Sequence, residues 1–349
     1  PMRSVSEPWK DRVLRGSRDG FVETLVSNAA LLRRRIRDPR FSMELYGIGR
    51  RSRSDVAICY ISDSVDQSIL DRMRSLIQSI DVDALTMNIE SLAECMFTHK
   101  WINPFPKFKY SERPDTATAA ILDGNIVIMV DNSPAVMIIP ASIFDIIEEA
   151  DDFNFSPMIG SYLRITRFFF SIVTWILTPL WLLLVNNPEW VPEFMKFILI
   201  TDDITVPVLL QLLILELAVD GLKLAAVNTP TMLSTPLSIV AGIVVGEYAV
   251  SSGWFNPESL LYMAVVTVGT YGQTNFEMGY AFKFLRVLTL ILTQIFNLGG
   301  FIAGVVISVL MIAFNRTITG KSYIYPLIPW DGKMLKRKVF RVRLPHSYK

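Results

Sequence analysis

No charged side chain interrupts the chain from Phe168 to Val185, nor from Val287 to Asn315, and these two runs limit its architecture more than anything else in the sequence. A helix needs about 20 apolar residues to cross the hydrocarbon core of a bilayer, and only helices and closed barrels satisfy their backbone hydrogen bonds there. Hydrophobic residues make up 51% of the chain, and the excess lies in the C-terminal half. The N-terminal half is charged and patterned like a globular domain. The expected fold class is therefore an α/β cytoplasmic domain followed by an all-α multi-span transmembrane helix bundle. The expected boundaries are 1–160 for the first, 161–315 for the second and 316–349 for a basic cytoplasmic tail.

The net charge of +1 conceals an uneven distribution. From Arg316 to Lys349 there are nine Lys or Arg against one acid, Asp331, and the first fifty residues are also rich in Arg. Basic blocks can hold nucleic acid. Beside membrane spans they mark the cytoplasmic side and its anionic lipid, so the bilayer is the expected partner and nucleic acid is not. The two cysteines, Cys59 and Cys95, both fall in the N-terminal half, which implies a reducing compartment without a disulfide framework. Arg3, Lys10, Arg12, Arg15 and Arg18 crowd the N-terminus where a signal peptide would need an apolar core, so the first true span must direct insertion.

Phe21, Leu25, Ala29 and Leu32 recur at helical spacing between Gly20 and Arg37, with Asp38-Pro39 as a stop. Asp55 to Ile61 reads as a strand. Ile69, Leu70, Met73, Leu76, Ile77 and Ile80 then make one face of an amphipathic helix. Ala117–Leu122, Ile126–Val130 and Val136–Ile139 read as three further strands in a small meander, turning at Asp123-Gly124-Asn125 and Asn132-Ser133-Pro134. Ser142 to Glu149 reads as a short helix.

Arg164 and Arg167 precede the first apolar run and place the N-terminal domain in the cytoplasm. Beyond the run, Glu189, Glu193, Asp202 and Asp203 against a single Lys196 suit the outer face. Val206–Val219, Leu237–Val250 and Leu260–Tyr271 are short for full spans. The last stretch, Val287 to Phe314, can cross once with tilt or break at Asn297-Leu298-Gly299-Gly300 into a re-entrant pair. A cytoplasmic tail requires an even number of crossings. Four are expected, with Val206–Val219 interfacial or partly buried; six, with a split last segment, is the alternative.

Glu216 and Glu247 stand in apolar segments, where a carboxylate is costly and is paired, protonated or turned toward water. They are pore or gating candidates, although each could simply reach the interface from a helix end. Thr270, with Thr267, Gln273, Thr274 and Asn275, and the series Thr289, Thr293, Asn297 form polar faces that either line water or bind helices together. Gly242 with Gly246, and Gly300 with Gly304, have the small-residue spacing of close helix contacts. Enzyme signatures are absent: there is no phosphate-binding glycine loop, no nucleophile elbow and no paired metal ligand, since His99 and His346 are the only histidines. No catalytic residue, metal or cofactor is expected.

Ordered motifs run through nearly the whole chain. They include Arg15-Gly16-Ser17-Arg18-Asp19-Gly20-Phe21, Arg33-Arg34-Arg35-Ile36-Arg37-Asp38-Pro39, Gly49-Arg50-Arg51-Ser52, Asn103-Pro104-Phe105-Pro106 and Glu112-Arg113-Pro114-Asp115. They continue through Leu122-Asp123-Gly124-Asn125, Val130-Asp131-Asn132-Ser133-Pro134, Gly160-Ser161-Tyr162-Leu163-Arg164 and Tyr325-Pro326-Leu327-Ile328-Pro329. In these the chain resembles the A-subunit family of spore germinant receptors. Asn228-Thr229-Pro230 and Ile328-Pro329-Trp330 before the basic tail resemble its stage V sporulation AF branch rather than the nutrient-sensing branch. The resemblance implies a non-enzymatic subunit of an oligomeric channel in the inner membrane of the bacterial spore, releasing ions during germination. The implied partners are further copies of itself and other germination membrane proteins. A non-conducting scaffold for those proteins is the alternative. Family members usually carry another α/β segment ahead of the Arg15 motif, whereas fourteen residues precede it here, so part of that domain is expected to be missing.

Overall fold

The computed structural model describes residues 6–8, 11–97, 103–202, 204–228 and 242–342. They divide into two compact units, residues 1–165 with 312–349, and residues 166–311. The first part of the Leu237–Val250 run, Thr229-Pro230 and both histidines lie outside the described residues.

The first unit is built on a five-stranded antiparallel sheet of β1 (Phe41–Ile48), β2 (Ser54–Ile61), β3 (Lys109–Ser111), β4 (Ile126–Val130) and β5 (Val136–Ile139), in the order β1-β2-β4-β5-β3. Strands covered on both faces need apolar residues at odd and even positions alike, and β2 and β4 have them. Val56, Ile58 and Tyr60 with Ile126, Ile128 and Val130 pack beneath α2 (Gln67–Gln78) and α3 (Ile89–Met96). Ala57, Cys59 and Ile61 with Val127 and Met129 face α1 (Leu25–Arg35) and α4 (Pro114–Leu122). The result is a three-layer sandwich. Ile318 reaches the first of these cores.

The expected strand at Ala117–Leu122 is helix α4. Pro114 occupies its first turn and Asp115 suits its positive end, while the alanines that follow favour a helix more than a strand. Ala117 and Ile121, four apart, both face the sheet. Gly124, at φ +86°, closes the helix rather than a hairpin: its N–H donates to Ile121 O, and that of Asn125 to Ala120 O at 2.9 Å. Strand β1 and helix α3 occupy segments where no element was expected.

Short helices α5 (Ile143–Ile147) and α6 (Asp151–Asn154) lead into α7 (Pro157–Asn186). The described part of the basic segment 316–349 belongs to this unit and does not stand apart as a tail. Lys107 Nζ donates to Arg316 O at 2.8 Å. The buried Arg164 on α7 donates to Asp152 Oδ2 (3.2 Å), to Glu148 Oε1 (3.0 Å) and to the carbonyls of Arg337 and Lys338. Lys338, at the end of helix Gly332–Val339, pairs with Asp145 at 2.5 Å. Burial pushes the Asp145 carboxyl up, but the Lys338 ammonium and the Ser142 hydroxyl outweigh it and hold the group below its usual range.

The second unit comprises the apolar part of α7, α8 (Val208–Asn228), a π-helical turn Gly242–Tyr248 running into Ala249–Ser251, α9 (Pro257–Tyr271) and most of α10 (Phe276–Ala313). Among the described residues, α7 and α10 are long and apolar enough to cross a membrane. Val206–Val219 belongs mostly to α8, a helix of 21 residues that also carries Asp220 and Lys223. Trp181, Leu182, Leu212, Leu215, Met263 and Leu290 form the core, with Trp181 stacked on Tyr262 at 4.6 Å.

Helix α10 is not straight. Asn297 has φ 51° and ψ −130°, a conformation costly for any residue with a Cβ. A Cβ at Gly300 would overlap the carbonyl of Leu292, and one at Gly304 would stand 2.8 Å from Thr289 Cγ2. In an unbroken helix those pairs would be about 12 and 22 Å apart along the axis. The chain therefore doubles back at Asn297, at the break weighed from sequence, and its arms 276–296 and 298–313 pack against each other.

Candidate functional site

Glu216 on α8 and Arg286 on α10 are 4% and 3% exposed and meet side by side. The guanidinium donates through Nε to Oε1 at 2.5 Å and through Nη2 to Oε2 at 2.8 Å, the two-pronged geometry that a planar fork offers a carboxylate. Its remaining arm, Nη1, donates to Thr174 O on α7. Three helices are thereby tied through one side chain. Lys283, one turn before Arg286, donates to Glu216 O at 3.0 Å and to Asp220 Oδ2, one turn beyond Glu216. Its Nζ also lies 3.5 Å from Glu216 Oε2. Carboxylates four apart on α8 thus face cations three apart on α10, both spacings lying along one helix face.

Leaving either charge unpaired among apolar helices would be expensive, whereas the paired network is tolerable. It forms one wall of a small pocket with about 20 Å³ of open space, completed by Lys223, by Thr267 and Thr270 on α9, and by Tyr271 and Tyr280. The threonine hydroxyls donate to carbonyls one turn back, those of Met263 (2.7 Å) and Val266 (2.8 Å).

Of the residues singled out from sequence, Glu216 sits in the network and Thr270 in the pocket wall. Glu247 is exposed on the π-helical turn. Thr289 and Thr293 are buried and donate to Leu285 O and Thr289 O, each at 2.7 Å. Asn297, at the apex of the α10 hairpin, exchanges two amide hydrogen bonds with Asn187 at the end of α7, at 2.6 and 2.9 Å. Gly300 and Gly304 lie where the two arms touch, whereas a Cβ on Gly242 or Gly246 would meet nothing within 4 Å among the described residues. Sequence reasoning overlooked Lys283 and Arg286, because the last apolar run was drawn from Val287. Two cations three apart at its threshold, opposite two carboxylates four apart, were the available signal.

A family model described as Bacillus/Clostridium GerA spore germination protein matches residues 1–349. The stage V sporulation protein AF of Bacillus subtilis (strain 168) is 37% identical over 345 residues, which cover 99% of this chain and 70% of that protein. Spore germination protein XA of Bacillus anthracis is 27% identical over 98% of this chain and 70% of its own length. Spore germination protein GerLA of Bacillus cereus is 28% identical over 99% and 70%. Among solved structures, the N-terminal domain of the A subunit of the Bacillus megaterium spore germinant receptor GerK3 aligns with 34% of this chain and 93% of its own at 30% identity, with a TM-score of 0.28. With its motifs in order and the match running from end to end, the chain belongs to the GerA family of spore germination proteins.

Proposed function

We propose that this protein is a non-enzymatic subunit of an oligomeric ion channel in the inner membrane of the bacterial spore, promoting ion release during germination. Its first unit and C-terminal segment would lie on the core side, where Arg164 and Arg167 flank the first apolar run. The observation that carries the reading is the charged pocket around Glu216, Asp220, Lys283 and Arg286 inside a set of apolar helices, an arrangement that marks ion pathways more often than plain scaffolding. Apolar side chains such as Phe169, Ile172, Phe284 and Ile302 point outward from α7 and α10, as lipid or neighbouring copies would require. Thr289, Thr293, Asn297 and the exposed Glu247 are the further pore or gating candidates, with an even number of crossings.

The test is ion efflux from vesicles reconstituted with the full chain. Efflux that falls in a Glu216→Gln or Arg286→Gln protein shown to be folded supports the channel, and unchanged efflux in a Glu247→Gln protein removes that residue from the pore. A folded, cross-linkable oligomer that conducts nothing at any voltage refutes it. The scaffold reading draws on the complete pairing of Glu216, which lets the network serve as a structural bolt, and it predicts that silent oligomer together with capture of other germination membrane proteins.

A further inference from the structure

The charges around the pocket do not balance. Glu216 and Asp220 supply two negative charges, while Lys223, Lys283 and Arg286 supply three positive ones. The surplus resides on Lys223. Arg286 and Lys283 engage both carboxylates, whereas the Lys223 ammonium lies over the rings of Tyr271 and Tyr280, 5.3 and 5.5 Å from their centres. It makes no ion pair among the described residues. Aromatic faces attract a cation but carry no net charge, and a cation among apolar helices calls for a counter-charge or water.

We propose that this pocket binds a small monovalent anion, held by Lys223 and drawn by the net positive field of the five charged groups. The inference deepens the reading of the site as an ionic centre. Its closest rival is local: Asp220 Oδ1 has no hydrogen-bond partner, and Lys223, three residues on, could swing to it and neutralise itself without any ligand.

The experiment follows thermal unfolding of the detergent-solubilised full chain while gluconate, too bulky for the pocket, is replaced by chloride or by acetate at constant ionic strength. A saturable rise in the midpoint is expected, since a ligand bound only by the folded state stabilises it by mass action. A response to acetate alone assigns the site to carboxylates, and a response to both assigns it to small monoanions in general. Lys223→Gln should weaken the apparent affinity by about tenfold or more, the worth of one charge-assisted hydrogen bond, and Lys223→Arg should retain it. Asp220→Asn raises the net charge and should tighten binding, which keeps the test decisive if Lys223→Gln does not fold. No saturable response in the unaltered protein, equal affinity in Lys223→Gln, or binding that Asp220→Asn leaves unchanged or weaker would each overturn the proposal. Because no membrane or gradient is involved, loss of the anion effect with efflux intact removes only this site, and the reverse result removes only the channel.

Discussion

Replacing Glu216 by glutamine leaves the Arg286 guanidinium, 3% exposed and fixed by Thr174 O, without its carboxylate. One of the two charge-assisted hydrogen bonds is lost, because the amide carbonyl still accepts but its NH2 cannot, and a buried cation loses its neutraliser. Breaking one side of a buried pair costs about 3–5 kcal/mol, most of it the penalty on the partner left behind. Arg286→Met should cost about as much, because Glu216 then retains only Lys283, at 3.5 Å. The double replacement Glu216→Gln with Arg286→Met removes both charges together and leaves no buried partner charge behind, so it should cost far less than the two single changes combined. The expected result is strong non-additivity, with the double protein at least about 3 kcal/mol more stable than the sum of the single losses. Denaturant or thermal unfolding of the solubilised full chain, followed by helical circular dichroism, measures it. Additive losses, or single losses under about 0.5 kcal/mol as at solvent-exposed pairs, would refute the assignment of this pair to a water-poor interior. Ion efflux from the same proteins separates the roles: a double replacement that folds yet has lost efflux makes the network part of the pathway.

Arg164→Met should remove the guanidinium from Asp152, fully buried beside it, and its hydrogen bonds to the carbonyls of Arg337 and Lys338; limited proteolysis should then cut within 332–342 before it cuts the sheet, and an unchanged digestion pattern would count against the clasp. Gly304→Leu should separate the two arms of α10, because a side chain there enters the space of Thr289, and the spacing between labels at positions 291 and 307 would report it. The Arg74 guanidinium, with Tyr60 and Tyr46, holds the Glu44 carboxyl at about 2 against an ordinary 4.5. A depressed value means stability fully present above about pH 4.5 and lost as the pH falls toward 2; in Arg74→Met that part of the acid dependence of the unfolding midpoint should shrink to what the two tyrosine hydroxyls sustain.

Several features of this protein are written locally. The apolar runs of α7 and α10 need no partner to be recognised, the unbroken apolar runs of β2 and β4 report burial on both faces, and the motifs identify the family. The error at Ala117–Leu122 is also local, since a short apolar run fits either period and only the Pro114 start and the Gly124 cap decide for a helix. Other features depended on residues far apart in sequence. A carboxylate at 216 announces its own cost, but nothing near it says that Arg286, seventy positions on, bears the opposite charge at the same depth, or that Glu247 remains exposed. Asn297 breaks a segment with helical propensity on both sides because Gly300 and Gly304 let the second arm lie against the first and Asn187 receives the amide at the turn. A sequence records what each residue costs to bury, whereas which partner offsets that cost is fixed by the packing of helices against one another.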